Sequence, residues 1–220
     1  MPTSQGSERV NRIASYVEAQ YRRSAVESEW DPVFSADYRW EHTLRVAQYG
    51  KIIAEGEELD SEHAIVACLL HDIAYFFEFV DVDWKDHGRT GAEIARPVLL
   101  DAGFSEEETA EICYAIAVHV DGEPATPHPH TKLADLVSDS DNVDRFSAYR
   151  CALWCQTEQD DFQAMAEMLR GRIERLKQYA ENNPLDTATG QRLFAEKVEL
   201  QLTFFQSVVE DAELTKLSEL

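Results

Sequence analysis

Six side chains able to hold a metal ion stand at or near the ends of apolar or amphipathic segments: His42, His71, Asp72, His87, His119 and Asp141. Neutral imidazole nitrogens and carboxylate oxygens suit Mn, Fe, Co, Ni or Zn, and the set includes no thiolate that would select a soft metal. The doublet His71-Asp72 is the most informative. It follows directly on the apolar run Ile65-Val66-Ala67-Cys68-Leu69-Leu70, where polar groups cost free energy unless they are paired or metal-bound. Adjacent helical residues diverge by about 100°, so both can reach one ion only if it lies at the helix flank. His42 and Asp141 would then close in from other helices, and a carboxylate placed as Asp72 is can bridge to a second ion.

Each of these residues also has an ordinary reading. A single histidine in a helix is usually a hydrogen-bonded core or surface group, and His63, His128 and His130 are read that way. His42 alone would be too. In Asp139-Ser140-Asp141 the two carboxylates are two residues apart and face nearly opposite sides of a helix, so spacing does not choose between them. Arg45 lies three residues after His42 and shares its helix face, which makes it a candidate substrate contact or a surface salt bridge.

The elements that must position these groups read as helix after helix. Amphipathic spacing predicts helices over 10–23 and 38–57, with a Pro32-containing loop over 24–37. Asp60 and Ser61 open a helix apolar on nearly every face and expected to run to Phe76 at the centre of a bundle. A loop follows at 80–84. The next helix begins near His87 or Gly88 and runs to Asp101, with Pro97 a potential kink and Gly103 a terminator. Ser105-Glu106-Glu107-Glu108 starts another as a capping box, ending near His119. A Pro-rich loop over 121–130 precedes one helix expected over 131–155. Beyond Gln156, two long amphipathic helices separated by 181–190 read as a hairpin that completes the core or forms the face of a homodimer. The fold class is all-α, with one domain over 1–220.

The segment from Tyr38 to Arg150 resembles the HD-domain superfamily of metal-dependent phosphohydrolases. Trp40, His42, Arg45 and Val46 match its W-x-H-x-x-R-V element, and Ala67 to Ile73 match A-x-L-L-H-D-I. Asp139-Ser140-Asp141-Asn142-Val143-Asp144 matches D-A-D-x-x-D, with Ser140 for the usual Ala, Asn142 for a frequent Arg or Lys, and no small-residue run after Asp144. The resemblance implies an HD-domain helical bundle over about 38–155 with a C-terminal helical hairpin over 156–220. It implies one ion held by His42, His71, Asp72 and Asp141, with Asp144 outside the ligand set. HGRTGAEIA and YAIAVHVDG are similar to segments of two-metal members, so His87 and His119 would hold a second ion with Asp72 bridging.

The activity implied is hydrolysis of a phosphoester or phosphoanhydride in a nucleotide or small phosphorylated metabolite. Asp72 and Arg45 would be the catalytic residues. Di-iron oxygenases of the same superfamily, and a non-catalytic nucleotide-binding module, are the rival readings. Composition narrows the partners. With 20 Lys+Arg against 42 Asp+Glu, the formal charge is -22, a surface that repels nucleic-acid duplexes and anionic membranes. No apolar run approaches the roughly 20 residues of a membrane span, and the opening residues carry no secretory-type apolar segment. The expected location is the cytoplasm. Four cysteines without a C-x-x-C pair are read as small buried hydrophobes.

Overall fold

The computed structural model describes residues 4–23, 35–76, 86–120, 129–156 and 161–215. The loops expected around Pro32, at 80–84 and through most of 121–130 lie outside the described residues. Among those described are nine α-helices and no strand: α1 Ser4–Arg23, α2 Ala36–Gly56, α3 Ser61–Leu70, α4 His87–Asp101, α5 Glu106–Val118, α6 Lys132–Arg145, α7 Ala148–Gln156, α8 Phe162–Glu181 and α9 Ala188–Glu213. The all-α expectation holds. The chain forms two compact units, Met1–Asp144 and Arg145–Leu220.

In the first unit α3 is the central element. Asp60 caps it by accepting from the Glu62 and His63 N–H groups. Ala64 and every residue from Val66 to Leu70 are buried, as α3 packs against α1, α2 and α5. Burying each Val or Leu side chain stabilises the unit by about 1.5–3 kcal/mol. α1 presents Ile13, Val17 and Tyr21, four residues apart and all buried.

The sequence predicts that α3 continues to Phe76, but it stops at Leu70 and resumes as a single 3-10 turn over Ile73–Phe76. The His71 ring supplies the reason. Its Nδ1–H donates to the Cys68 carbonyl at 2.7 Å, the acceptor that a continuing helix would give to the Asp72 N–H. The chain tightens there, as helix ends do when a side chain takes a terminal carbonyl.

α4 contains Pro97 and ends where Gly103 takes φ +91. At that angle the Phe104 N–H reaches the Leu99 carbonyl at 3.1 Å and reverses the chain. α5 then starts on the expected capping box. Ser105 Oγ accepts from the Glu108 N–H at 3.2 Å, and Glu108 Oε2 accepts from the Ser105 N–H at 2.6 Å. These bonds favour the anion and hold the Glu108 carboxyl at about 2, below its ordinary 4.5. The unfolded chain binds that proton at the higher pH, so the box's contribution is complete above the ordinary value and fades as pH falls towards the depressed one. Glu108→Ala should therefore lower Tm at about pH 6, and the gap to wild type should narrow below about pH 3. Melting curves across that range check it.

The segment 131–155 is not the single helix expected. α6 ends at Arg145 and α7 begins at Ala148. The Arg150 N–H turns to the Ser147 carbonyl at 3.0 Å, and the Phe146 carbonyl accepts from buried Gln201 Nε2 at 2.9 Å. A carbonyl drawn out of the ladder in this way ends a helix. α8 and α9 form the expected hairpin, capped by Asp161 and Thr187. Tyr179 and Phe194 of the hairpin meet each other and Phe146 edge-on at centroid distances of 4.6 to 5.8 Å. Among the described residues, no helix is long and apolar enough to cross a membrane.

Candidate metal centre

Four helices of the first unit and the turn after α3 bring the six sequence-predicted ligands together. His42 comes from α2, His71 and Asp72 from the end of α3, His87 from the start of α4, His119 from the end of α5 and Asp141 from α6. Both His71 and His119 are helix C-caps. Each donates its Nδ1–H to the carbonyl three residues back, Cys68 and Ile116 respectively, at 2.7 Å. A carbonyl can only accept, so the proton of each neutral ring sits on Nδ1 and the Nε2 lone pair points into the site. Two helix C-termini also bring their partial negative charge here, which favours a cation.

His71 Nε2 is buried and has no hydrogen-bond partner. Its near neighbours are Asp72 Oδ2 at 3.4 Å and Asp141 Oδ1 at 3.9 Å. His42 Nδ1 is held by Asp144 Oδ2 at 2.7 Å, which turns His42 Nε2 to the same place, 3.3 Å from Asp141 Oδ1 and 3.6 Å from Asp72 Oδ2. The other oxygen of Asp72 faces the remaining pair. Oδ1 lies 3.2 Å from His87 Nε2 and 3.8 Å from His119 Nε2, and those two nitrogens are 3.3 Å apart. Asp72 thus directs one oxygen at each pair of imidazoles.

The chemistry of this donor set fits a metal. Lone pairs of His71 and His119 meet carboxylate oxygens without a proton to join them, and a buried orphan acceptor is costly. His42, His71 and Asp141 each offer a ligand atom within 4.8 Å of the others, as do His71, Asp72 and His119. Electrostatics agree. Burial disfavours a charged His42, yet its bonds to Asp141, Asp144 and Asp72 outweigh that and raise its proton affinity well above the usual histidine range. Burial likewise favours a neutral Asp72, but the surrounding imidazoles of His71, His119 and His42 hold its carboxyl well below the usual range. Both shifts say that these oxygens draw positive charge to themselves.

Three further residues complete the site. Arg39, three residues before His42, donates from a guanidinium nitrogen to Asp72 Oδ2 at 2.8 Å and lies over the Tyr75 ring at 4.5 Å. The Tyr75 hydroxyl is 3.2 Å from His87 Nδ1. Neither was singled out from sequence. Arg39 had a signal, its place on the His42 face, but Arg45 shares that spacing on the other side. Arg45 itself is placed on Asp144, with Nε 2.7 Å from Oδ1 and a terminal nitrogen 3.2 Å from Oδ2. Asp144 is fully buried, and its bonds to His42 and Arg45 overcome burial to keep it anionic.

This constellation of His, His-Asp and distal Asp lies within a recognised family segment. Residues 39–145 match the family model of the HD domain.

The chain contains an HD domain.

The fold is shared with solved structures. A predicted HD superfamily hydrolase from an uncultured Thermotogales bacterium is 24% identical with a TM-score of 0.61, covering 90% of this chain and 91% of that one. Bacillus subtilis YpgQ in complex with ADP is 19% identical with a TM-score of 0.62, covering 94% of this chain and 96% of its own. Comparison with curated protein sequences gives no match.

In this HD-domain protein Asp144 orients His42 while Arg45 holds Asp144. Replacing Asp144 by Ala leaves His42 Nδ1 and a half-buried guanidinium without their acceptor. A carboxylate backing a ligand histidine is worth about 10–100-fold in metal affinity, so Asp144→Ala should lose that much in a chelator-competition titration. Arg45→Ala should lose less, because the carboxylate stays on His42.

Proposed function

We propose that this HD-domain protein is a metal-dependent phosphohydrolase acting on a nucleotide or a small phosphorylated metabolite. The observation that carries the reading is the pair of Asp72 oxygens, each turned to a different pair of imidazoles, with the His71 Nε2 lone pair buried beside them. His42, His71, Asp72 and Asp141 would hold one ion, and His87, His119 and Asp72 a second. A divalent ion here supplies a water of lowered pKa and positive charge for a phosphoryl oxygen.

The chain's own groups set the conditions for that chemistry. The carbonyls of Cys68 and Ile116 hold the Nδ1 protons of His71 and His119, so both rings keep a fixed tautomer and orientation. Asp144 does the same for His42 through a carboxylate, which also makes that ring more basic. Arg39 lies against Asp72 and offsets part of its charge. In a chain with a formal charge of -22, a guanidinium at this point also lowers the barrier to an approaching phosphate anion. Arg45 is the weaker candidate for substrate contact, since two of its nitrogens already serve Asp144. The ADP complex of YpgQ supports a nucleotide among the ligands to try first.

The test is metal analysis of the purified protein together with a panel of nucleoside mono-, di- and triphosphates and sugar phosphates, with Mn, Co, Ni, Mg and Fe supplied in turn. Phosphate or pyrophosphate release that depends on metal and disappears in His71→Ala is expected. Turnover that survives chelation, or that consumes dioxygen, would overturn the reading. Tight nucleotide binding without turnover under every metal would overturn it as well, in favour of a binding module.

A further inference from the structure

The four imidazoles of the metal centre are held from behind by partners of two kinds. His42 Nδ1 faces a carboxylate oxygen of Asp144, and the Nδ1 atoms of His71 and His119 face the carbonyls of Cys68 and Ile116, each at 2.7 Å. Carboxylates and carbonyls only accept, so each of these rings keeps its Nδ1 proton and presents Nε2 to the site. His87 Nδ1 instead meets the Tyr75 hydroxyl, at 3.2 Å. A hydroxyl donates as readily as it accepts. The neutral His87 ring can therefore carry its proton on either nitrogen.

The break after α3 is what brings that hydroxyl here. Tyr75 stands on the 3-10 turn over Ile73–Phe76, with its N–H bonded to the Asp72 carbonyl at 3.1 Å. Arg39 bonds to Asp72 Oδ2 at 2.8 Å, and its guanidinium carbon lies 4.5 Å from the Tyr75 ring centre, a cation–π contact that steadies the ring. The His87 ring also packs on it, with centroids 4.5 Å apart. On its other edge His87 Nε2 lies 3.2 Å from Asp72 Oδ1 and 3.3 Å from His119 Nε2. With a proton it donates to one of those acceptors. Without one, its lone pair points to the same place.

We propose that Tyr75 is the positioning residue of His87 and that its hydroxyl lets this ring change tautomer, which makes His87 and His119 the half of the centre that takes and releases its ion. When no ion is bound there, the His87 Nε2–H donates to Asp72 Oδ1 or His119 Nε2, and the Tyr75 O–H donates to Nδ1. That arrangement spares the pair part of the cost of unpartnered lone pairs. When an ion binds, Nε2 gives its proton to solvent, Nδ1 takes one up, and the Nδ1–H donates to the Tyr75 oxygen. The ring is neutral before and after, so no net proton is released. His71 has no such alternative, since its Nδ1–H stays on the Cys68 carbonyl and its buried Nε2 has no hydrogen-bond partner. The half at His42 and His71 therefore holds its ion more tightly. The switch rests on the two-ion reading proposed above and adds to it an order of loading.

The test starts from the full chain stripped of metal by chelation and then supplied with zinc, which is diamagnetic. NMR of the histidine ring nitrogens, at a pH above the ordinary histidine range, should show His71 and His119 protonated on Nδ1 before and after zinc. His87 should move its proton from Nε2 to Nδ1 as the second equivalent binds, a change that a merely structural tyrosine would not produce. In a chelator-competition titration zinc should enter wild type in two separable steps. Tyr75→Phe keeps the ring against Arg39 and removes only the hydroxyl, so it should weaken the second step by about tenfold or more and leave the first unchanged. A His87 proton already on Nδ1 in the stripped wild type, or equal second-step affinity in wild type and Tyr75→Phe, overturns the switch and leaves the two-ion centre standing. Wild type that binds one zinc only overturns the switch together with the second ion, and wild type that binds none overturns the metal centre itself.

Discussion

Asp72→Asn is expected to remove metal from both pairs of histidines and to lower kcat/KM by about three orders of magnitude, roughly 4 kcal/mol. The substitution keeps the size and shape of the side chain but deletes its charge. At present Oδ2 faces His42, His71 and Arg39, while Oδ1 faces His87 and His119. An amide at this position turns its N–H groups towards one pair of imidazoles and satisfies their lone pairs directly. The electrostatic demand for a cation then disappears on that side, and its carbonyl offers the other side a dipole in place of an anion. The Arg39 guanidinium, only 11% exposed, would also lose its buried counter-charge. Metal content and turnover measured on the same sample check the prediction. Added Mn should raise the Tm of wild type through binding to the folded state alone, and should leave the variant's unchanged. A variant that retains stoichiometric metal and full turnover would sink the bridging role of Asp72.

Much of this centre is legible in the chain because four of its six candidate ligands, His71, Asp72, His87 and His119, stand at helix ends, and helix ends have sequence signals. Asp60 and Ser105 mark where α3 and α5 begin, and Gly103 marks where α4 stops. His71-Asp72 stands out because it closes an apolar run that only a buried helix explains. What the sequence leaves open is direction. Asp139 and Asp141 differ by two residues, and only the packing of α6 turns Asp141 to His42. Arg39 and Arg45 flank His42 at equal spacing, yet one meets Asp72 and the other Asp144. The two breaks that periodicity misses, after Leu70 and at Phe146–Ser147, share a cause. In each a side chain takes a backbone carbonyl, His71 from its own helix and Gln201 from α9. Apolar patterning reports which face is buried and is blind to such competition for the ladder.

Gly88→Ala should separate the two halves of the centre. In an open helical position this change stabilises a protein by up to about 1 kcal/mol, so a loss of stability here would be specific. A Cβ at Gly88 would lie 2.7 Å from the Ala117 carbonyl oxygen and 2.8 Å from that of Ile116. Both are backbone atoms, which cannot swing aside as the end of a side chain can. The first turn of α4 would have to lift away from the last turn of α5. His87 immediately precedes Gly88, and the Ile116 carbonyl is the acceptor that fixes the His119 ring. The shift therefore draws His87 from Asp72 Oδ1 and loosens His119 together. His42, His71 and Asp141 stand on other elements and keep their places. Crowding of this kind costs about 1–3 kcal/mol, so Tm should fall and bound metal should drop from two ions to one, with the ion at His42 and His71 retained. Gly91→Ala is the matched control. Its added Cβ would meet the His71 carbonyl at 3.4 Å, a distance that a few tenths of an ångström of relaxation absorbs, and its metal content should stay near that of wild type. If Gly88→Ala keeps both ions at an undiminished Tm, the close crossing of α4 and α5 does not position the second pair, and the histidines at 87 and 119 lose their claim to an ion of their own.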